Sequence, residues 1–260
     1  MFRRLKVLRP PTLGAIFALS LGMAAGSHAN AALLVEYNFD GNANDSSGNG
    51  YNGSLQGDAG FAAGQFGQAL QLDGSGDVVN VALPTQTFSA FTIELWANST
   101  SSSPSNDHLI SLNDANNFIV LWNQTSNSVS GYSTGLSNVN LVGSFSPPIV
   151  AGEWFHLAYT WDGLEKKLFK DGQLIGSTAA TGTLTPIDAS NPNLAIGARY
   201  NGGQYWDGGI DNVRIYDHAL SQAELGFFTD NASSVPEPGV FAILGLGFAA
   251  IGYARRKRAA

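Results

Sequence analysis

One local pattern dominates the middle of this sequence. A short run of β-branched, aromatic and aliphatic residues is closed on both sides by Gly, Asn, Asp or Ser. Leu33–Phe39, Ala69–Leu72, Val78–Ala82 and Phe91–Ala97 follow it. So do Phe118–Trp122, Val139–Phe145, Trp154–Trp161, Leu168–Lys170, Leu194–Ala198 and Gly209–Tyr216. Branched and aromatic side chains fit a pleated surface, and the bounding residues suit turns, so each run reads as a strand. Lys170-Asp171-Gly172-Gln173 carries a hairpin signal, because Asp-Gly tolerates the positive φ angles of a tight turn. Only Ser221–Phe227 reads as helical, with Ser221 as the cap and Glu224 three residues on. Glycine supplies 31 of 260 residues and charged residues only 13%, which argues against a helical bundle or coiled coil. The expected fold class is all-β, an antiparallel two-sheet sandwich.

The two ends have a different character. Arg3, Arg4, Lys6 and Arg9 precede an apolar run, Leu13–Ala25, and then Ala29-Asn30-Ala31. That is the anatomy of a secretory signal peptide, expected over residues 1–31. The other end begins with Val235-Pro236-Glu237-Pro238. An apolar run, Gly239–Ala254, follows, then Arg255-Arg256-Lys257-Arg258. As a helix that run would span roughly 24 Å, a little under the ~30 Å hydrocarbon layer. The basic cluster should stay cytoplasmic, which places residues 32–234 outside. Residues 235–260 resemble the PEP-CTERM sorting signal of Gram-negative bacteria, with Pro236, Glu237 and Pro238 as the motif. The resemblance implies a transmembrane sorting helix and recognition by an exosortase-type membrane protease. It also implies removal of the tail after transient membrane anchoring, and an address at the cell surface or in the extracellular matrix.

The intervening 32–234 segment holds five basic and nineteen acidic side chains, a net of −14. A body this acidic repels a phosphate backbone, so nucleic acid is excluded as a partner, while divalent cations are tolerated or attracted. The chain has no cysteine, which excludes thiol catalysis, disulfides and thiolate-bound metals.

A family resemblance rests on an ordered set of blocks. Tyr37-Asn38-Phe39-Asp40 leads into Asn44-Asp45-Ser46-Ser47-Gly48-Asn49-Gly50. Gly67-Gln68-Ala69-Leu70 and Leu72-Asp73-Gly74 follow, then Phe91-Thr92-Ile93-Glu94-Leu95-Trp96. Gly152-Glu153-Trp154-Phe155-His156-Leu157-Ala158 runs toward Trp161-Asp162-Gly163. Gly209-Ile210-Asp211-Asn212-Val213-Arg214-Ile215-Tyr216 and Ala219-Leu220-Ser221 close the set. In this order the blocks resemble a LamG-like jelly roll of the concanavalin A-like lectin/glucanase superfamily. That fold hosts lectins, adhesins and glycosidases, so it does not name a ligand.

Three chemistries are in play. The first is a structural Ca²⁺. Asp40, Asn42, Asn44 and Asp45 crowd oxygen donors into one loop, but calcium takes six to eight oxygens, so a distant carboxylate is needed. The resemblance implies Asp211 for that part. Turn formation alone would equally explain Asn and Asp here. The second is a polysaccharide or glycan platform, where rings stack on sugar faces. Trp122, Tyr132, Tyr200, Tyr205 and Trp206 lie by Asn- and Gly-rich loops, and Trp122, Tyr200, Tyr205 and Trp206 are the expected ligand contacts. Trp96, Trp154 and Trp161 sit inside strand patterns and read as packing. The third is glycoside hydrolysis, which needs two carboxylates flanking the bond. Glu94 stands alone between Ile93 and Leu95, and Asp162 and Glu165 straddle a turn, so no enzyme activity is expected. Asp211 and Arg214, three apart in a strand, should face opposite sides. The expected function is a secreted, non-catalytic carbohydrate-binding or adhesion module of the bacterial surface or exopolysaccharide matrix. A structural matrix protein without specific glycan binding and a divergent glycoside hydrolase are the alternatives.

Overall fold

A computed structural model describes residues 33–104, 106–112, 119–125, 127–144, 146–184, 194–200 and 202–227, with backbone alone for 119–124. The expected signal peptide, the Pro236-Glu237-Pro238 motif and the apolar run after it lie outside the described residues. Among the described residues the strands are β1 (Leu33–Tyr37), β2 (Ser54–Gln56), β3 (Gly60–Ala63), β4 (Gln68–Asp73) and β5 (Val78–Val81). Then come β6 (Phe91–Ser99), β7 (Asp107–Leu112), β8 (Ile119–Thr125), β9 (Ser128–Ser133) and β10 (Asn140–Ser144). The last are β11 (Phe155–Trp161), β12 (Glu165–Lys170), β13 (Gln173–Ala179), β14 (Leu194–Ile196) and β15 (Asp207–Tyr216).

They form two antiparallel sheets. The first runs β13-β12-β11-β6-β15-β4-β3, with β1 also paired to β15; the second runs β10-β9-β8-β7-β14-β5-β2. Phe91, Ile93 and Leu95 of β6 and Leu157, Tyr159 and Trp161 of β11 belong to one buried cluster with Leu109, Leu112, Val129, Leu194 and Ile196 of the second sheet. Each such side chain stabilises the sandwich by about 1.5–3 kcal/mol relative to exposure. The packing is close enough to dictate glycine. A Cβ on Gly131 would sit 2.6 Å from the Tyr159 ring. Lys166 is buried and donates from Nζ to the Val139 carbonyl at 2.9 Å. Burial pulls its pKa down to about 8.

The Asp-Gly signal produces the β12–β13 hairpin. Lys170 pairs with Gln173, and Asp171 and Gly172 have φ of 48° and 71°, the two positive angles this turn requires. Two local expectations change. Ser221–Phe227 gives one turn of 3-10 helix, Gln222–Glu224, where the Glu224 carboxylate accepts from the Ser221 N–H at 2.8 Å. Asp211 and Arg214 do not face opposite sides. A bulge between them, with Asn212 at φ 45°, leaves Asp211 opposite Trp96 and Arg214 opposite Glu94. Trp96 and Glu94 are two apart on β6 and share a face, and directly paired residues do too. Arg214 Nε then meets Glu36 at 2.8 Å.

Candidate ligand-binding site

The loop expected to carry a sugar platform begins after β14. Gly197 N–H donates to the Leu109 carbonyl at 2.9 Å and Trp206 N–H to the Gly197 carbonyl at 2.8 Å, which closes the loop at its base. Inside it, Gly202 N–H bonds the Arg199 carbonyl, and Arg199 N–H bonds Gly203. The His108 N–H donates to the Gln204 carbonyl at 2.9 Å, stapling the loop to β7. Tyr200 and Tyr205 are both partly exposed. The Tyr205 hydroxyl lies over the turn, 3.1 Å from where a Gly202 Cβ would sit.

His108 is buried, with Nδ1 3.4 Å from the Asn106 carbonyl. Burial first, and the Arg199 charge after it, pushes its pKa down to about 4. It is a neutral ring at neutral pH. Trp122 pairs across β8 with His108 and across to Ser130 on β9. Backbone register therefore brings the Trp122 position to β7, the strand to which the Tyr200–Tyr205 loop is hydrogen-bonded; the Trp122 side chain lies outside the described residues.

Trp206 is a correction. It is fully buried, and its indole N–H donates to the Asn98 carbonyl at 3.0 Å, with Gly209 O at 3.3 Å. Phe155 packs against it edge-on. It is a core residue because it immediately precedes β15 and shares that strand's inward packing.

The expected calcium loop is also rearranged. Asp45 spends both oxygens on backbone: Oδ1 accepts from Glu36 and Ser47, and Oδ2 from Tyr51, at 2.9–3.0 Å. Asn42 accepts from Asn44 N–H and donates to the Asp40 carbonyl. Asp40 accepts from Gln68 N–H at 2.8 Å, and Asp211, fully buried, from Phe66 N–H at 2.9 Å and Asn212 N–H at 2.7 Å. Burial, together with the nearby Asp40 charge, raises Asp211 to about 6. Asp40 lies near enough to Asp211 for its charge to act there, and with Asp45 the three do not form a group of ligand atoms within 4.8 Å of one another. These side chains organise two turns.

Among the described residues the carboxylates that do converge are Asp58, Asp73 and Asp77, with ligand atoms within 4.8 Å of one another. Asp77 is buried and accepts from Asp58 N–H at 2.9 Å and Asp73 N–H at 3.1 Å. Burial raises its pKa, and the charges of Asp58 and Asp73 add to that. Gly57 lies close by: a Cβ there would fall 2.3 Å from Asp77 Oδ1. The trio lines a groove of about 390 Å³ together with Phe61, Gln71, Thr100 and Asp207. Hard carboxylate oxygens at this spacing suit Ca²⁺ or Mg²⁺. The sequence signal was Asp73-Gly74-Ser75-Gly76-Asp77, two acids separated by a glycine turn. Tyr205, Trp206 and Asp207 are consecutive, so one buried indole separates the tyrosine loop from the acidic groove.

The sequence profile of the concanavalin A-like lectin/glucanases superfamily matches residues 73–226, and the chain belongs to that family. The PEP-CTERM protein-sorting motif matches residues 234–258. No match was found among curated proteins. Among solved structures, one similar fold is domain 4 of AbnA, a GH43 extracellular arabinanase from Geobacillus stearothermophilus, in complex with arabinotriose. It has a TM-score of 0.58 at 21% identity, covering 76% of this chain and 98% of that one. The binding domain of botulinum neurotoxin serotype D gives 0.61 at 14% identity, covering 77% and 52%. The binding domain of Paraclostridial Mosquitocidal Protein 1 gives 0.58 at 19%, covering 76% and 51%. The chain spans about half the length of these toxin domains. At these identities the likeness establishes a shared lectin-like jelly roll.

Proposed function

We propose that this chain is a non-catalytic carbohydrate-binding module, exported and sorted by its tail to the bacterial surface or exopolysaccharide matrix. An exosortase-type protease would process the tail. The observation that carries the reading is the junction at Trp206. Partly exposed Tyr200 and Tyr205 sit in a loop stapled to β7, and Asp207 opens onto a groove with Asp58, Asp73, Asp77 and Gln71. Rings for sugar faces and acceptors for hydroxyls are thus adjacent along one stretch of chain. The arabinotriose complex of AbnA domain 4 lends the class of ligand, an oligosaccharide, to this reading.

Beside the calcium expected at Asp40, Asn42, Asp45 and Asp211, this reading has a second candidate place for the ion at Asp58, Asp73 and Asp77, whose ligand atoms lie within 4.8 Å of one another. The test is a glycan array that includes arabino-oligosaccharides, probed with calcium and with chelator. Selective retention is expected. Tyr205→Ala should weaken it about tenfold, equivalent to 1.4 kcal/mol, without lowering the unfolding temperature. Absence of binding under both conditions would sink the carbohydrate assignment and leave a structural matrix role.

A further inference from the structure

After β15 the chain turns back over the outer face of the first sheet. Thr92 of β6 is fully buried, and its hydroxyl does two jobs there. It donates to the His218 carbonyl and accepts from the Leu220 N–H, both at 2.8 Å. Gln222 Nε2 donates to the Gly172 carbonyl at 2.6 Å, at the tip of the β12–β13 hairpin. Leu225 is fully buried against Ala158 and Phe169. Gly226 N–H donates to Glu94 Oε2 at 2.7 Å, and Phe227 stacks on Trp96 at 5.9 Å.

Glu94 gives this contact its force. Its carboxylate is only 1% exposed; Oε1 lies 3.3 Å from the Tyr216 hydroxyl and 3.8 Å from Arg214 Nη1, while among the described residues Oε2 has, besides Gly226 N–H, only His156 Nε2 at 3.5 Å. A buried carboxylate oxygen that loses a backbone donor is left poorly compensated. Residues 217–227 therefore complete the sheet's outer face as a strap. The strap ends at the threshold of the sorting motif. Only residues 228–233 separate Phe227 from the matched segment, at most about 20 Å of extended chain.

We propose that the docked strap restrains the sorting tail, fixing how far the membrane-side motif can stand from the folded sandwich. Release of the strap adds residues 217–227 to the tether, roughly 35–40 Å of further reach. This rests on the reading that residues 234–258 direct membrane anchoring and processing. Docking is the restrained state, with slow access for a membrane protease; release is the permissive one.

The test uses the full-length chain in cells that process it. Gly226→Pro removes the N–H that Glu94 accepts. Leu225 already has φ −63° and ψ 146°, a conformation that suits the residue before proline, and the change lies outside every strand. Thr92→Val is a second, isosteric route to the same release. Strap docking is read by glutamyl endopeptidase as cleavage after Glu224, whose side chain is exposed but whose backbone is held in the 3-10 turn, relative to cleavage after Glu153. Tail processing is read as conversion of precursor to shortened product. Both variants should raise relative cleavage at Glu224 at least tenfold and speed processing at least threefold. A six-residue Gly-Ser insertion after Asp230 should speed processing while Glu224 stays protected. Faster cleavage after Glu224 with unchanged processing would overturn the restraint. So would two variants that leave both readouts unchanged. An unprocessed parent chain would refute the sorting reading and this inference with it; normal parent processing with insensitive variants refutes the restraint alone.

Discussion

Two acidic loops look alike in the sequence and behave in opposite ways. The Asp40–Asp45 loop and the Asp73–Asp77 loop both place carboxylates among Gly, Asn and Ser. In the first, Asp45 is partly buried, which would raise its pKa, yet N–H donors from Glu36, Ser47 and Tyr51 together hold it below the usual carboxylate range. In the second, burial outweighs the donors from Asp73 and Asp58, and the two neighbouring charges push Asp77 the same way, above its ordinary value. Counting oxygens in a loop does not find a cation site. Asp77, like Asp45, accepts backbone N–H groups on both oxygens; what separates the second loop is that three carboxylates there come within 4.8 Å of one another.

The contrast can be broken most sharply at Asp45. Asp45→Ala orphans three backbone donors and should cost about 3 kcal/mol, measured by denaturant unfolding. A loss near zero would mean the loop holds itself without that carboxylate. Calcium comes next. At a hundredfold excess over its dissociation constant it should raise the unfolding temperature by roughly 5–10 °C. Asp77→Asn should abolish the rise and Asp40→Asn should keep it. The reverse pattern would return the ion to the first loop.

The smallest expected effect is in the pH dependence. Asp45, lowered in the folded state, contributes stability above the ordinary carboxylate pKa that is lost as pH falls through its lowered value. Asp77, raised in the folded state, contributes in full below the ordinary pKa and loses that contribution as pH climbs through its raised value. In calcium-free buffer from pH 3 to 6, the parent should gain stability relative to Asp45→Ala and lose it relative to Asp77→Asn. Parallel curves for all three would erase the distinction.

The fold was legible where side chains alternate or branch. β6, β11 and β15 are dense in Ile, Val, Phe and Trp, and the Asp171-Gly172 turn announces its hairpin. β2 and β3 were missed because Ser54-Leu55-Gln56 and Gly60-Phe61-Ala62-Ala63 are short, and neither carries a β-branched residue. β9 was missed because small residues, Gly131 and Ser133, stand where the Tyr159 ring and hydroxyl need room. The bulge at Asn212 escaped a period-two reading by its nature. At the site, the tyrosine loop was visible as an aromatic, glycine-rich segment. The Asp58–Asp73–Asp77 trio was only partly visible: Asp73 and Asp77 share one glycine turn, but the β2–β5 and β3–β4 pairings bring Asp58 to them. Trp206 looked like a loop residue until the start of β15 placed it in the core.

The position of β15 also dictates an order of events in time. It bonds to β6 and β4, and to β1 near the start of the domain. An interior strand of the sheet is thus the last of the described strands to be synthesised. Until it arrives, β1 has no partner and β6 lacks one of its two neighbours. Contacts of such long sequence separation form slowly. A chain still being made is therefore open, and the sandwich closes only once β15 has emerged.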